Sequence, residues 1–122
     1  MVSGQHGKIS SLVLGLDERI RFVGIVNQRG EVIEGGFNKN VVPLLDLDKE
    51  QQLYLESLSA ISSLRNFSDS LGDVIYNVVE YKKVILLTFP LRESKILCIS
   101  LSPGIDLAYF KNEVLKLMGS KC

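Results

Sequence analysis

The sequence predicts an α+β domain: one five-stranded antiparallel sheet with strand order 2-1-5-4-3 and helices on both faces. Helix-like and strand-like segments alternate as helix, two strands, helix, three strands, helix. The turns between consecutive strands are too short for a parallel crossover, so neighbouring strands run antiparallel. In several strands apolar residues occupy both alternating positions, which is typical of strands covered on both faces. The strand order 2-1-5-4-3 places the first and last strands side by side in the centre of the sheet.

The first third of the chain encodes a short helix and a hairpin. Apolar residues between Ile9 and Leu16 follow the i, i+3, i+4, i+7 spacing, which predicts an amphipathic helix over residues 8–16. Residues 20–27 and 31–37 have strand-like composition. Gly30 between them suits the left-handed position of a short hairpin loop. Residues 38–43 then form a loop.

Residues 48–71 contain no Gly or Pro and keep one apolar stripe, so we predict a single long helix that Gly72 ends. Asp46 or Asp48 supplies its N-cap, and Gln51 follows Asp48 at the spacing of a capping box. Several serines lower the intrinsic helix propensity of this segment. Tertiary packing must therefore stabilise the helix.

Three strands are predicted in close succession, over residues 74–80, 84–91 and 95–101. Asp106 then caps a last helix, whose apolar stripe runs from Leu107 to Met118. The two edges of this sheet are residues 31–37 and 74–81, and the second is the more apolar. Because an exposed apolar edge favours pairing with another chain, we expect a homodimer, with residues 74–81 or the exposed side of the long helix at its contact.

Length and composition fit one domain over residues 1–122. The 122 residues are 46% hydrophobic and 23% charged, ordinary values for a globular protein. The longest uncharged stretch, Ile96 to Ile105, is about half of the roughly 20 residues that cross a bilayer. The N-terminus does not resemble a secretory signal. We therefore expect a cytoplasmic protein without membrane insertion.

The charge balance and the scarce reactive residues exclude several functions. With 14 basic and 14 acidic residues, no basic face is predicted, so we expect no nucleic-acid partner. The one histidine, His6, lies near the N-terminus, and Cys98 and Cys122 form no spaced ligand set. The glycines form neither a P-loop nor a dinucleotide fingerprint. The prediction is a protein that is not an enzyme, with no cofactor, catalytic residue or metal site.

The candidate binding residues lie on the long helix and the apolar edge strand. Tyrosines bring large contact area at low entropy cost and are enriched at interfaces, although core packing is their commoner role. We predict that a flat surface carries the interface residues Tyr54, Tyr76, Asn77, Val79 and Tyr81.

With these elements in this order, the chain resembles the roadblock/dynein light-chain domain. The resemblance covers nearly the whole chain and rests on topology together with the hairpin of residues 22–36. It implies a dimeric adaptor or regulator of small GTPases or motors, with no active-site residue of its own. In several short sequence segments the chain more closely resembles small archaeal proteins of unknown function. This resemblance rests on the segment Ile20 to Gly24, on Leu71-Gly72 and on Pro103 to Asp106.

Two hypotheses on function follow. The leading one is a homodimeric interaction module that offers a composite surface to a cytosolic protein, such as a small GTPase. The alternative is a small-ligand sensor of the PAS or profilin-like kind, whose sheet has the same strand order. Sensors place several short helices around a cavity between strands two and three. One unbroken helix over residues 48–71 therefore favours the module.

Overall fold

The computed structural model describes residues 8–121, with side chains up to residue 119. In chain order, the helices and strands are α1 (Ile9–Leu14), β1 (Ile20–Val26), β2 (Val32–Phe37), α2 (Leu47–Leu64), α3 (Ser68–Leu71), β3 (Asn77–Glu80), β4 (Ile85–Pro90), β5 (Ile96–Leu101) and α4 (Leu107–Lys121). A 3₁₀ turn, Arg65–Phe67, joins α2 to α3. His6 and Cys122 lie outside the described residues.

The five strands form one antiparallel sheet in the order β2-β1-β5-β4-β3, which confirms the predicted topology. β1 and β5 lie in the centre, where Gly24 is paired with Gly35 of β2 on one side and with Cys98 of β5 on the other. The outer strands are β2 and β3, as expected from the sequence.

Helices cover both faces of the sheet, which also agrees with the prediction. On one face α1 and α4 enclose the larger core, formed by Val13, Ile20, Val23, Ile85, Leu87, Phe89, Leu97, Ile99, Leu101, Phe110 and Val114. On the other face α2 packs on a smaller core, formed by Phe22, Val26, Tyr54, Ile61, Ile96 and Cys98. Alternate residues of β5 enter the two cores, which explains why its sequence is apolar at nearly every position.

The predicted helix of residues 48–71 is wrong beyond Leu64, where the α-helix ends and the 3₁₀ turn begins. Around this break Asn66, Ser68 and Ser70 are residue types whose side chains compete with the backbone for hydrogen bonds. The N-cap is Asp46, whose carboxylate accepts a hydrogen bond from the Lys49 amide at 2.9 Å. Gly72 ends α3 with a φ of 87°.

The third strand is shorter than predicted, because residues 74–76 are not part of the ladder. Val74 packs on the core under α2, and Tyr76 packs on the core of the opposite face. Only Asn77–Glu80 pairs with β4.

The β2 edge is irregular and is held by α1. Gly35 has a φ of 88°, outside the extended range of a regular strand. Next to it, the Glu34 carboxylate accepts hydrogen bonds from the Ser10 amide at 3.1 Å and from the Ser10 hydroxyl at 2.6 Å. The N-cap residue of α1, Lys8, forms no side-chain capping hydrogen bond. The Glu34 carboxylate of β2 instead accepts a hydrogen bond from a backbone amide in the first turn of α1.

The β4–β5 turn contains two residues in the left-handed region, Glu93 with a φ of 61° and Ser94 with a φ of 59°. Successive positive φ values are those of a type I′ turn, which favours Asn-Gly. We expect the double substitution Glu93→Asn/Ser94→Gly to raise the free energy of unfolding by about 1 kcal/mol, because it removes left-handed strain. Urea denaturation measures this gain. Glu93→Gln is the control, since it breaks the exposed ion pair with Lys95 and leaves the strain. An unchanged midpoint for the double variant would contradict the explanation.

Candidate interaction surface

One helix covers only part of the sheet face on which α2 lies. Five strands about 4.8 Å apart span about 20 Å, whereas a helix with its side chains is about 10 Å wide. α2 packs over β1 and β5 through Tyr54 and Ile61. Within residues 8–121, therefore, no helix lies above the strands on the β3 side of this face.

The uncovered part of this face consists of residues from β3 and β4. Asn77 and Val79 are paired with Thr88 and Leu86, so these side chains point to the α2 side of the sheet. Val79 is 44% exposed and Tyr81, directly after the strand, is 52% exposed. We call this area, formed by Asn77, Val79, Tyr81, Leu86 and Thr88, the open face.

A groove of about 540 Å³ lies between the open face and α2. Phe22, Phe37, Leu53 and Leu86 belong to its apolar walls, and Leu44 and Leu45 extend the wall before α2. Arg21 donates a hydrogen bond to the Val42 carbonyl at 3.0 Å and thereby holds the loop that carries these two leucines. Tyr54 closes the inner side and stacks on Phe22, with ring centroids 5.6 Å apart.

Four charged side chains line the groove: Arg21, Glu50, Lys82 and Lys83. Lys82 and Lys83 line one end, where β3 turns into β4, and Glu50 of α2 lies on the opposite wall. Burial, with a contribution from Asp46, raises the pKa of the Glu50 carboxyl above its ordinary value. Burial and the charge of Glu50 raise the pKa of the Tyr54 phenol. The groove therefore disfavours negative charge at the α2 wall.

Cys98 lies at the base of the groove, and burial raises the pKa of its thiol to about 12. Because the thiolate is the reactive form, we expect Cys98 to react with a disulfide reagent at pH 8 on the order of a thousandfold more slowly than an ordinary thiol. The reaction is followed in Cys122→Ser, which leaves Cys98 as the only cysteine, in buffer and in urea. Equal rates in the folded and unfolded protein would contradict this expectation.

The side of α2 that faces the groove carries a regular stripe. Leu53 and Ser57 line the groove, and Ala60 and Leu64 continue the stripe at the same 4-3-4 spacing. Leu64 is 43% exposed, and Phe67, three residues further, is 60% exposed. Spacing of this kind is typical of helices that pack against another helix. Small residues occupy the middle of this stripe and large apolar residues its ends.

The structure does not bring the three predicted tyrosines to one surface. Tyr54 is only 7% exposed, whereas Tyr81 lies at the rim of the groove. Tyr76 lies on the other face of the sheet, stacked on Phe89 with centroids 5.5 Å apart and with the Lys111 ammonium 5.6 Å from its ring. The reason is the two-residue period of the extended chain, which separates Tyr76 from Asn77, Val79 and Tyr81. Of the five predicted residues, only these last three share the open face.

The other groove residues were not predicted from the sequence. Leu44 and Leu45 lie in a loop, and the sequence pattern places Leu86 and Thr88 in a strand without indicating that their face of the sheet stays uncovered. Within residues 8–121, no three His, Cys, Asp or Glu side chains cluster as metal ligands would. No helix in the same range is long and apolar enough to cross a membrane.

The geometry defines the class: an α+β domain with a half-covered sheet face, an apolar edge strand and a groove between them. No family model matches the sequence, and no curated protein matches it. Solved structures do match. A Roadblock/LC7 domain from Streptomyces avermitilis has a TM-score of 0.67 at 18% identity, over 92% of this chain and 90% of that chain.

Two further structures have the same fold. The gliding protein MglB from Thermus thermophilus has a TM-score of 0.69 at 12% identity, over 95% of this chain and 92% of that chain. An MglB structure with a tetrameric arrangement has a TM-score of 0.64 at 14% identity, over 95% of this chain and 91% of that chain. The protein is therefore a roadblock-like domain in its fold, as the resemblance implied.

Proposed function

We propose that the chain acts as a single, non-catalytic interaction domain in the cytosol. Two copies associate through the β3 edge and through α2, and the joined surface binds a protein partner. The observation that carries this proposal is the open face: about half of one sheet face is without a helix, beside an edge strand with exposed valines. A second copy supplies both missing parts, a strand and a helix.

The β3 edge suits strand pairing better than the β2 edge does. β3 is a regular strand, and Val78 and Val79 are 39% and 44% exposed. β2 is interrupted by the left-handed Gly35 and is tied to α1 through Glu34. An added strand needs a regular row of free backbone groups, which favours the β3 side.

The stripe on α2 suits an antiparallel helix pair. In a two-fold pair centred between residues 58 and 59, Leu53 faces Leu64 of the second copy, and Ser57 faces Ala60. The small residues at the centre let the two helices approach closely, and the leucines fill the space on either side. Phe67 of the second copy then lies at the groove end that carries Glu50. The same arrangement buries apolar side chains that are exposed in a single copy.

The comparisons support association of this kind in general terms. An MglB structure in a tetrameric arrangement is similar to this chain over most of its length, so self-association occurs on this fold. The partner we propose is a small GTPase, which is what the roadblock resemblance implies. No arginine or glutamine stands out as a catalytic finger, so an effect on nucleotide turnover would work by positioning the switch regions of the partner. Nucleotide-dependent capture of a GTPase from source-cell lysate, lost in a monomeric variant, tests this part.

Oligomeric state is the direct test of the dimer. Light scattering at tens of micromolar is expected to give twice the mass of the 13.6 kDa chain. We expect Val79→Lys to give the single mass, because a lysine at the paired edge places charge in the contact. Ile33→Lys on β2, where Ile33 is 51% exposed, is the matched control and is expected to stay dimeric. If the wild type is monomeric, the proposed dimer is wrong. If only Ile33→Lys is monomeric, the dimer contact lies at β2 and not at β3.

A further inference from the structure

The groove has the size and composition of a small-molecule site as well as of a helix-packing surface. Its volume of about 540 Å³ lies within the range of about 300–1,000 Å³ found for ligand pockets. It crosses β4, β5, β1 and β2, a distance of about 14 Å at the usual strand spacing. Its walls are mainly aliphatic and aromatic side chains, so an extended apolar chain fits better than a polar ring system.

Three cationic side chains line the groove: Arg21 is already bonded to the Val42 carbonyl, and Lys82 and Lys83 remain to bind a ligand. Lys82 and Lys83 line the groove beside Tyr81, and within residues 8–121 neither lysine forms an ion pair. The side chains of Tyr54 and Thr88, which carry hydroxyl groups, also line the groove. Glu50, on the wall opposite the lysines, repels an anion placed there. A ligand that complements these charges has one negative group at the lysine end and is otherwise uncharged.

We propose that this groove binds a free long-chain fatty acid, with its carboxylate at Lys82 and Lys83 and its alkyl chain along Leu86 and Phe22, and that bound fatty acid keeps the chain monomeric. The effect of fatty acid on dimerisation rests on the proposed dimer, in which α2 of the second copy occupies the same groove. Two occupants of one groove compete, so binding of the ligand and of the second copy are coupled with opposite sign.

Fatty-acid binding and its effect on dimerisation can both be measured on the full chain after removal of bound lipid. A fluorescent polyene fatty acid titrated into the protein is expected to bind with saturation below its micellar concentration. Palmitate is expected to displace it. Hexadecylamine, with the same chain and a positive head, is expected to displace it at least about tenfold less well, since the charge-assisted contact with the lysines is lost. Light scattering of the same samples is expected to shift from dimer to monomer as palmitate is added.

Variants connect these effects to the groove. Lys82→Gln/Lys83→Gln is expected to weaken palmitate binding about tenfold or more, and Lys116→Gln on α4, on the other face of the sheet, is expected to leave it unchanged. Leu86→Gln, at a half-buried position of the groove floor, is expected to weaken binding of the palmitate chain while both lysines remain.

The possible results separate the two proposals. If the protein is a dimer that binds no palmitate, or that binds palmitate and hexadecylamine equally, the proposed fatty-acid site is wrong and the proposed dimer is unaffected. A dimer that binds palmitate without dissociating overturns the competition. A protein that is monomeric with and without palmitate overturns the dimer, and the fluorescence titration still decides whether the groove takes a fatty acid. Binding only above the micellar concentration counts against the site.

Discussion

Gly35→Ala is expected to lower the free energy of unfolding by about 3 kcal/mol or more. A Cβ atom at this position would overlap the Val23 carbonyl oxygen and stand 3.0 Å from the Gly24 Cα, and backbone atoms on a central strand cannot move aside. The φ of 88° adds left-handed strain of about 1–2 kcal/mol for any residue with a Cβ, and the overlap adds about 1–3 kcal/mol. Urea denaturation at fixed protein concentration measures the loss.

Gly36→Ala is a control at the neighbouring residue. A Cβ at Gly36 meets no atom within 4 Å, and Gly36 is not among the glycines with positive φ. We expect this variant to be as stable as the wild type or slightly more stable, because alanine restricts the unfolded chain. Similar losses for both variants would contradict the role assigned to the hairpin contact at Gly35.

Ala60→Glu is expected to weaken the proposed dimer at least about a hundredfold, which corresponds to about 2.8 kcal/mol. In the antiparallel helix pair Ala60 lies at the closest approach, where a buried carboxylate without a partner is strongly unfavourable. The fold of the single copy should survive, because Ala60 is half-buried and glutamate is a good helix former. Sedimentation equilibrium over a range of concentrations gives the dissociation constant.

Ser62→Glu provides the matched control for this substitution. Ser62 is exposed on α2 about 200° around the helix axis from Ala60, away from the stripe. We expect it to leave the dissociation constant within about threefold of the wild-type value. If both variants dimerise as tightly as the wild type, α2 does not form the contact and the β3 edge alone must account for any dimer.

Much of the fold could be predicted because its determinants are local. Helical spacing located α1 and α4, Asp106 caps α4 through the Tyr109 amide as expected, and Gly30 has the left-handed φ of 80° that the hairpin needs. Short turns between strands excluded parallel pairing, which left few topologies. The strand order then followed from the order of elements along the chain.

The features that escaped prediction depend on contacts between distant parts of the chain. The break after Leu64 reflects a balance between weak helix propensity and packing that the apolar stripe alone does not reveal. The position of Tyr76 on Phe89 depends on which residue begins β3, and a shift of one residue reverses the face. The open face exists because α2 is one helix wide, a property of the assembled layers. For this reason only the three-dimensional structure shows which of the five predicted residues, namely Asn77, Val79 and Tyr81, share the open face.

The irregular β2 edge determines how far assembly can proceed. A sheet with two regular edges can add copies without limit and grow into a filament, as in cross-β fibrils. Here the left-handed Gly35 and the α1 contact through Glu34 leave β3 as the regular edge. When two copies join through β3, both outward edges of the joined sheet are β2, and neither offers a place for a third copy. For the proposed dimer we therefore expect a stoichiometry of two, with little risk of polymerisation through the exposed apolar strand.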